Sequence, residues 1–262
     1  MVAELQHGAR AAEWCTQEGH AYRFDWGMEA LGALGPHVAV VVIVDVLRFS
    51  TAVCCALESG ATVLPYRWND DGAAAYAAAH GAVLAGRRED SELSLSPTDL
   101  LTVDAGTRIV LPSPNGSALA VAARDHGVEH VLVGCLRNAH ATALAARRLA
   151  AGGAIAVIAA GERWGTIDGP LRAAVEDMLG AGAVLAALDP AAAASPPSCS
   201  PEAAAARAAL IGARPRLYDT LVACASAREL LARGWEDDVA TSAALDVSTV
   251  VCRLVADEFR AD

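Results

Sequence analysis

Residues 38–51 read Val-Ala-Val-Val-Val-Ile-Val-Asp-Val-Leu-Arg-Phe-Ser-Thr and give the strongest indication of the fold class. The first nine of these residues, 38–46, are almost continuously β-branched, which is typical of a strand covered on both faces in a parallel or mixed sheet. A helix is predicted directly afterwards, over 51–59, with Gly60 as the residue just past its end. The stretch therefore predicts a strand–turn–helix unit of an α/β protein.

The same alternation continues along the chain. Strands are predicted at 62–65, 82–84, 108–111, 128–134 and 154–159, and helices at 71–80, 117–126, 139–151, 171–188, 202–211 and 218–233, with 237–259 mostly helical. This order predicts a three-layer α/β/α sandwich with a mixed, largely parallel sheet. We expect one domain over 1–262, with a flexible Pro- and Ser-rich loop at 189–201 and a helical C-terminal part at 202–262.

Composition excludes several classes of function. The 262 residues carry 20 basic and 31 acidic side chains, a net charge of −11, and 54% of them are hydrophobic. The hydrophobic content excludes a disordered chain, and the acidic balance disfavours nucleic-acid binding. All basic residues are arginine, so Schiff-base chemistry and a Walker A lysine are excluded.

Cellular location and metal type follow from the same sequence. The N-terminus has no basic segment followed by an apolar one, so we expect no signal peptide. The longest aliphatic run, 38–44, is far shorter than the roughly 18 residues of a membrane span. Seven cysteines without a CxxC pair and scattered histidines disfavour zinc. We expect a cytoplasmic protein that uses neither nucleic acid nor membrane as a partner.

The turn after the first strand carries the strongest candidate site. Asp45 ends the strand, where open α/β sheets bind ligands, and could hold a metal ion. Arg48 can grip an oxyanion, and Ser50 and Thr51 open a helix whose free amides attract anions. In the alternative interpretation Asp45 and Ser50 only end the strand and cap the helix, with Arg48 on the surface. The turn alone leaves both open.

Three further segments add candidates. Asn115 and Gly116 form a tight turn after a strand, with Ser117 capping the next helix. Residues 134–139, Gly-Cys-Leu-Arg-Asn-Ala, end another strand, and each of these two junctions, taken alone, is more simply interpreted as an ordinary strand–helix turn. The pair Glu176 and Asp177 could direct a carboxylate toward magnesium, although such pairs are more often solvated helix surface.

Taken in order, these segments resemble the ComB family of 2-phosphosulfolactate phosphatases. The matching pieces are DVLR-x-ST at 45–51, AGRR at 85–88, SP at 96–97, PSPNGSALA at 112–120, GCLRNA at 134–139, AGERWG…VEDMLGAGAV within 160–184 and the tail at 226–254. Gly86-Arg87-Arg88 stands where the family usually has Gly-Glu-Arg, so that an acid is lost unless Glu89 replaces it. Ser94-Leu95-Ser96-Pro97 replaces Gly-Asn-Ser-Pro. The resemblance implies magnesium-dependent hydrolysis of 2-phospho-3-sulfolactate to 3-sulfolactate, a step of coenzyme M biosynthesis.

The resemblance also suggests roles for residues. As a hypothesis, Asp45 holds Mg²⁺ with Glu176 or Asp177, while Arg48 and Arg88 surround the phosphate; the substrate-binding set is Ser50, Thr51, Ser96, Asn115, Gly116, Ser117, Asn138 and Arg172. A metal-activated water is the default nucleophile, with Asp45 itself or a cysteine such as Cys135 as alternatives. A non-catalytic small-anion-binding protein is the alternative function, and a homo-oligomer is left open. A cysteine hydrolase of the isochorismatase type ranks last because its triad needs a lysine.

Overall fold

The computed structural model describes residues 13–67, 70, 72–86, 88, 91, 93–166, 168–190 and 198–262. The strands are β1 (Tyr22–Trp26), β2 (Val40–Val44), β3 (Thr62–Tyr66), β4 (Val83–Leu84), β5 (Arg108–Pro112), β6 (His130–Gly134), β7 (Ile155–Ala159), β8 (Glu162–Arg163), β9 (Leu171–Arg172), β10 (Cys252–Val255) and β11 (Glu258–Ala261). The α-helices are α1 (Gly27–Leu34), α2 (Phe49–Glu58), α3 (Gly72–Ala79), α4 (Pro97–Leu100), α5 (Gly116–Asp125), α6 (Ala139–Ala150), α7 (Val175–Leu188), α8 (Pro201–Ala213), α9 (Leu217–Ala223), α10 (Ala225–Ala232) and α11 (Glu236–Ala243).

Strand β2 is covered on both faces, as its sequence predicts. All five of its residues are buried. Val40, Val42 and Val44 pack into a core with α6, α7 and α8, whereas Val41 and Ile43 pack into a second core with α1, α2 and α5. Because side chains alternate along a strand, each face of the sheet receives its own helical layer. The predicted α/β/α architecture is confirmed.

The nine-stranded sheet consists of two parallel blocks joined by a hairpin. Its order is β1-β7-β2-β6-β10-β11-β3-β5-β4. Strands β1, β7, β2 and β6 are parallel, and so are β3, β5 and β4. Between the blocks, β10 and β11 pair antiparallel with each other and with β6 and β3. Three successive antiparallel pairings make the two blocks run in opposite senses along the sheet.

Helices α2 and α5 pack against strands of both blocks. Val63 of β3 and Ile109 of β5 share one buried core with Val41 of β2 and with α2. Phe49, at the start of α2, makes an edge contact with Phe259 of the hairpin, with ring centroids 6.2 Å apart. The two blocks therefore share the helical layer that contains α2 and α5.

The C-terminal part differs from the prediction. Residues 252–261 form β10 and β11 rather than helix, and 218–233 is broken at Cys224 into α9 and α10. The hairpin turn uses Ala256, with φ 53°, instead of the glycine or proline that would have marked it in the sequence. The C-terminal part therefore contributes two strands to the main sheet.

Smaller differences lie near β1 and α7. Strand β1 and helix α1 were not predicted from the sequence; β1 is a short strand with charged residues in its run. The helix predicted from residue 171 begins at Val175, and residues 171–172 pair with β8 instead. Most of the predicted flexible loop, 191–197, and also Glu89, lie outside the described residues. No helix among the described residues combines the length and apolar character needed to cross a bilayer.

Candidate active site

Asp45 lies directly after β2 and joins two helix starts. It is 6% exposed. Its Oδ1 accepts the Phe49 amide at 3.1 Å, and its Oδ2 accepts the Gly116 amide at 3.0 Å. These amides belong to the first turns of α2 and α5, whose free N–H groups favour a negative charge. Asp45 therefore fixes the turn after β2 against the start of α5.

Asp177, in the first turn of α7, fixes the same turn from the other side. Its Oδ1 accepts the Val46 amide at 2.7 Å, and its Oδ2 accepts the Gly161 amide at 2.9 Å. Its neighbour Glu176 is 2% exposed, and burial followed by the charge of Glu176 raises the pKa of the Cys224 thiol. We call Asp45, Glu162, Glu176 and Asp177 the acid cluster.

Crowding of buried carboxylates determines the electrostatics of the acid cluster. Burial, followed by the charge of Glu162, raises the pKa of Asp45 to about 7, although the Phe49 and Gly116 amides act in the opposite direction. Burial and the charge of Asp45 raise the pKa of Asp177 well above its usual range. Burial also raises the pKa of Glu162, opposed by hydrogen bonds from Arg163 and Asn115. The cluster thus concentrates negative charge that a cation would relieve.

Arg48, three residues after Asp45, meets Arg88 on a single carboxylate. Nη1 of Arg48 donates to Oδ2 of Asp238 at 2.6 Å, and Nη1 of Arg88 donates to the same oxygen at 3.2 Å. Both guanidinium groups lie over Trp235, with Cζ 4.7 and 5.7 Å from its ring centroid. The Leu47–Arg48 peptide bond is cis. We call Arg48 and Arg88 the arginine pair.

The other oxygen of Asp238 is held by hydroxyl groups at the start of α4. Ser96 Oγ donates to Oδ1 at 2.5 Å and Thr98 Oγ1 donates at 3.0 Å. Ser96 also caps α4 by accepting the Asp99 amide. The predicted site residues Arg48, Arg88 and Ser96 are therefore brought together, and Asp238 is their common partner.

Other predicted site residues make hydrogen bonds inside the protein. Ser50 Oγ accepts the Asp45 amide at 2.8 Å, and Thr51 Oγ1 donates to the Val46 carbonyl at 2.8 Å, so both brace the turn after β2. Ser117 Oγ donates to the Leu111 carbonyl at 2.7 Å. The hydroxyls therefore shape the turns that carry Asp45 and Gly116.

Asn138 is fully buried and lies among sulfur atoms. Its Oδ1 accepts the Cys135 amide at 2.9 Å, and its Nδ2 donates to the Val250 carbonyl at 3.0 Å. The structure thus shows Asn138 tying the end of β6 to the segment before β10. It is separate from both the acid cluster and the arginine pair in its hydrogen bonds.

Arg172 and Asn115 complete the acid side of the site. Asn115 Nδ2 donates to Glu162 Oε2 at 3.3 Å. Arg172 lies opposite Glu162 in the β8–β9 pair, its charge opposes the rise in the pKa of Glu162, and its Nη2 donates to Ser226 Oγ at 3.4 Å. Both predicted residues therefore lie against the acid cluster.

The donor set suits magnesium only in part. Carboxylate oxygens are the ligands that Mg²⁺ prefers, and each carboxylate oxygen has a second lone pair beside its amide bond. However, no three His, Cys, Asp or Glu side chains converge as metal ligands within the described residues. Mg²⁺ commonly needs only one or two carboxylates, with water and phosphate oxygens completing its shell. Asp45 with Glu176 is compatible with such a sparse site, although Asp45, like Asp177, already accepts two backbone amides and could offer an ion only its remaining lone pairs.

Cys135 is poorly suited to act as the nucleophile. Cys135 is fully buried, and burial followed by its hydrogen bond with Cys54 raises the pKa of its thiol well above the usual value. The thiolate is the nucleophilic form, so this environment opposes attack by Cys135.

A well-formed hollow nearby is distinct from these charged groups. A cavity of about 290 Å³ is lined by Met28, Arg67, Pro114, Ala118, Ala122, Arg163 and Asp168. It touches the sequence neighbours of Asn115 and Glu162, but its lining includes neither the acid cluster nor the arginine pair. We place the candidate site at the buried charged residues rather than at this hollow, because a small anion and a cation would contact charged side chains.

Asp238, Trp235 and Glu162 were not predicted as site residues. Glu162 comes shortly after β7, at the start of β8, whereas Asp45 follows β2 directly, so nearness to a strand end was a usable signal. Asp238 and Trp235 lie in the tail segment that carries the resemblance, Gly-Trp-Glu-Asp-Asp, but no local pattern separates Asp238 from Asp237.

Together these features define an α/β protein in which the turn after a central strand carries both Asp45, of a cluster of acidic side chains, and Arg48, of a pair of arginines that can bind an anion. A family model described as 2-phosphosulpholactate phosphatase matches residues 33–257, and the chain belongs to this family. A curated relative from Thermus thermophilus, named "Probable 2-phosphosulfolactate phosphatase", is 33% identical over 156 residues. That match covers 56% of this chain and 62% of the relative, less than two thirds of its length.

Proposed function

We propose that this protein is a phosphatase that hydrolyses the phosphate ester of a small sulfonated or carboxylated hydroxy acid, with 2-phosphosulfolactate as substrate. The products would be 3-sulfolactate and phosphate, which assigns the protein to coenzyme M biosynthesis in the cytoplasm. Family membership supports the reaction class. The observation that carries the proposal is that Arg48 of the arginine pair lies on the same turn as Asp45 of the acid cluster.

The arginine pair is suited to hold the transferred phosphoryl group. Arg48 donates to Asp238 through Nη1 alone. Its remaining N–H groups can turn to an oxyanion, and its side chain is 13% exposed. Phosphoryl transfer depends on positioning and charge stabilisation, which fixed guanidinium donors supply. Water would attack phosphorus, and the ester oxygen would leave with a proton as the hydroxyl of sulfolactate.

Magnesium is part of the proposal. Asp45 and Glu176, with Asp177 behind them, would hold the ion, and Mg²⁺ would neutralise charge on the phosphate oxygens. The amides of Phe49 and Gly116 hold the Asp45 carboxylate in place. The raised pKa values of Asp45 and Asp177 fit a cluster whose charge a cation offsets.

The test is phosphate release from 2-phosphosulfolactate and a panel of small phosphoesters, with Mg²⁺ or with a chelator. We expect phosphosulfolactate to be hydrolysed fastest and the chelator to abolish turnover. Arg48→Ala should lower kcat/KM by about tenfold to a hundredfold, because it removes a charge-assisted contact of ~1.5–3 kcal/mol. Asp237→Asn, which changes an exposed neighbour of the site, is the matched control and should keep full activity.

A test of the proposed metal ligands has to separate loss of turnover from loss of stability. Asp45→Asn would turn an amide N–H₂ toward one of the two backbone donors, so we expect it to lose both turnover and stability. Glu176→Gln avoids this clash and should lose turnover while keeping its melting temperature. Phosphate binding without release from any ester would instead support the non-catalytic anion-binding function, and turnover unchanged by a chelator would remove magnesium from the proposal.

A further inference from the structure

Asp238 has a buried carboxylate that accepts hydrogen bonds from several side chains. It is fully buried and accepts four side-chain donors, Arg48 and Arg88 on Oδ2 and Ser96 and Thr98 on Oδ1. A buried carboxylate is stable only when its lone pairs are filled in this way. The four donors come from the turn after β2, the segment before α4, and α4 itself, so one side chain of α11 organises three separate parts of the site.

The way the two arginines share Asp238 fixes their separation. Both Nη1 atoms bond the same oxygen, at 2.6 and 3.2 Å. Two guanidinium groups repel each other, and without a shared anion they would move apart. The Ser96 and Thr98 hydroxyls hold Oδ1 and so prevent rotation of the carboxylate. The spacing of the arginine pair is therefore set before any ligand arrives.

Helix α11 supplies a second restraint from its N-terminus. Trp235 is the residue before α11, three positions from Asp238, and its ring lies against both guanidinium groups. Cation–π contact limits how far each guanidinium can tilt. Asp99 also accepts Arg88 Nη2 at 3.3 Å. Asp238 therefore fixes the distance between the two guanidinium groups, and the ring of Trp235 fixes the orientation of their planes.

We propose that Asp238 is the positioning residue of the arginine pair and that it acts through Arg48 and Arg88, which contact a tetrahedral oxyanion. This inference rests on the proposed function, since it assigns the arginine pair to the phosphoryl end of the substrate. Asp238 does not touch the ligand. It pre-organises a two-arginine clamp, and pre-organisation saves the cost of ordering long side chains when the anion binds.

The first test measures binding of inorganic phosphate by calorimetry to the full chain and to Asp238→Asn. We expect phosphate affinity to fall by about tenfold to a hundredfold in the variant, as for the loss of one charge-assisted contact. Asp237→Asn, the exposed neighbour, is the matched control and should bind like the wild type. Wild-type affinity in Asp238→Asn, or absence of phosphate binding by the wild-type chain, would overturn the inference.

A second test separates positioning from a merely structural role. If Asp238 acts through Arg48, Asp238→Asn should have little further effect on phosphate affinity in an Arg48→Ala background. Additive losses in this double-mutant cycle would contradict the inference. Should Asp238→Asn fail to fold, Thr98→Val removes a single hydroxyl from Oδ1 and should weaken phosphate binding in the same direction, by about threefold to tenfold. Unchanged affinity in Thr98→Val would then count against the inference.

The kinetic readout distinguishes this inference from the proposed function. If the chain hydrolyses 2-phosphosulfolactate, Asp238→Asn should lower kcat/KM while its melting temperature stays above the assay temperature. If phosphate binding responds as expected but no ester is hydrolysed, the proposed function fails and the positioning role stands. If esters are hydrolysed and Asp238→Asn changes neither affinity nor kcat/KM, the positioning role alone fails.

Discussion

Gly116 shows how closely the site is packed at the scale of one residue. A Cβ atom there would lie 2.1 Å from Cδ1 of Phe49 and 2.8 Å from Oδ2 of Asp45. No side-chain rotation creates room, because Phe49 is fully buried. The absence of a side chain lets the Gly116 amide reach the Asp45 carboxylate, so this glycine is required by close approach.

We therefore expect Gly116→Ala to destabilise the fold and to displace Asp45. Overpacking of a full core costs about 1–3 kcal/mol, and catalytic turnover should fall with it. Chemical denaturation and phosphate release measure the two effects. Gly212→Ala is the matched control, because nothing lies within 4 Å of its Cβ in α8, and it should be neutral or slightly stabilising. A fully stable and active Gly116→Ala variant would contradict the packing described here.

The site could be predicted from the sequence where its residues follow strands. Asp45, Arg48 and Asn115 were found because a polar residue after a buried strand is exposed to ligands in α/β folds. Asp238 could not be found in this way. Its partner Arg48 is 190 positions away, and its burial depends on α11 packing beside α4, which no local pattern expresses.

At the scale of elements, Glu258 joins the β10–β11 hairpin to the second block. Its carboxylate accepts Arg108 of β5 at 3.0 Å and also bonds Arg260. Burial raises the pKa of Glu258, but the hydrogen bonds and charges of Arg260 and Arg108 outweigh it, so the pKa lies below its usual value. The folded state therefore favours the ionised form of this side chain.

Because the pKa of Glu258 is lowered in the folded state, the stability lost in Glu258→Gln should depend on pH. A lowered folded pKa contributes stability that is complete above the unfolded pKa of about 4.5 and is lost as pH falls through the folded pKa. We expect the variant to lose about 1 kcal/mol of unfolding free energy at neutral pH, a modest value because both arginines are partly exposed, with the difference shrinking below about pH 4.5. Urea unfolding at two pH values measures it. Glu229→Gln, which breaks an exposed pair with Arg233, should change little at either pH, and a pH-independent loss in Glu258→Gln would refute the assignment.

The helices and strands could be predicted where the spacing of hydrophobic residues and the residues that end an element, such as glycine, indicate the same boundaries. Strand β2 and helix α2 have a clear β-branched run and a closing Gly60 with φ 86°. The hairpin gave only a weak signal, because Asp257 is a common turn residue but Ala256, which takes the positive φ, is not, and the apolar residues of the hairpin also fit a helix. Its place in the sheet is a tertiary property, since β10 and β11 pair with strands more than a hundred residues earlier.

At the scale of the whole molecule, the hairpin connects the two parallel blocks of the sheet. Phe259 is fully buried between Val63 of β3 and Phe49 of α2. We expect the described part of the chain to unfold as one cooperative unit, which is also what a single domain would do.

Phe259→Ala tests this expectation. Removing a fully buried phenylalanine typically costs about 3–5 kcal/mol, and amides of both blocks should lose hydrogen-exchange protection together. Leu144→Ala, at a 52% exposed position of α6, is the control and should be nearly neutral. Loss of protection in β3, β5 and β4 alone, with β1, β7, β2 and β6 unaffected, would show that the blocks are independent.

The position of this hairpin in the sheet affects how the chain folds while it is being synthesised. During synthesis on the ribosome, β6 and β3 emerge long before residues 252–261. Until those residues are made, the nascent chain carries two strand edges that lack their partner strands. Such edges pair readily with other chains, which makes chaperone protection most valuable during this interval. A translation product that stops early would lack the central strands and would be directed to proteolysis.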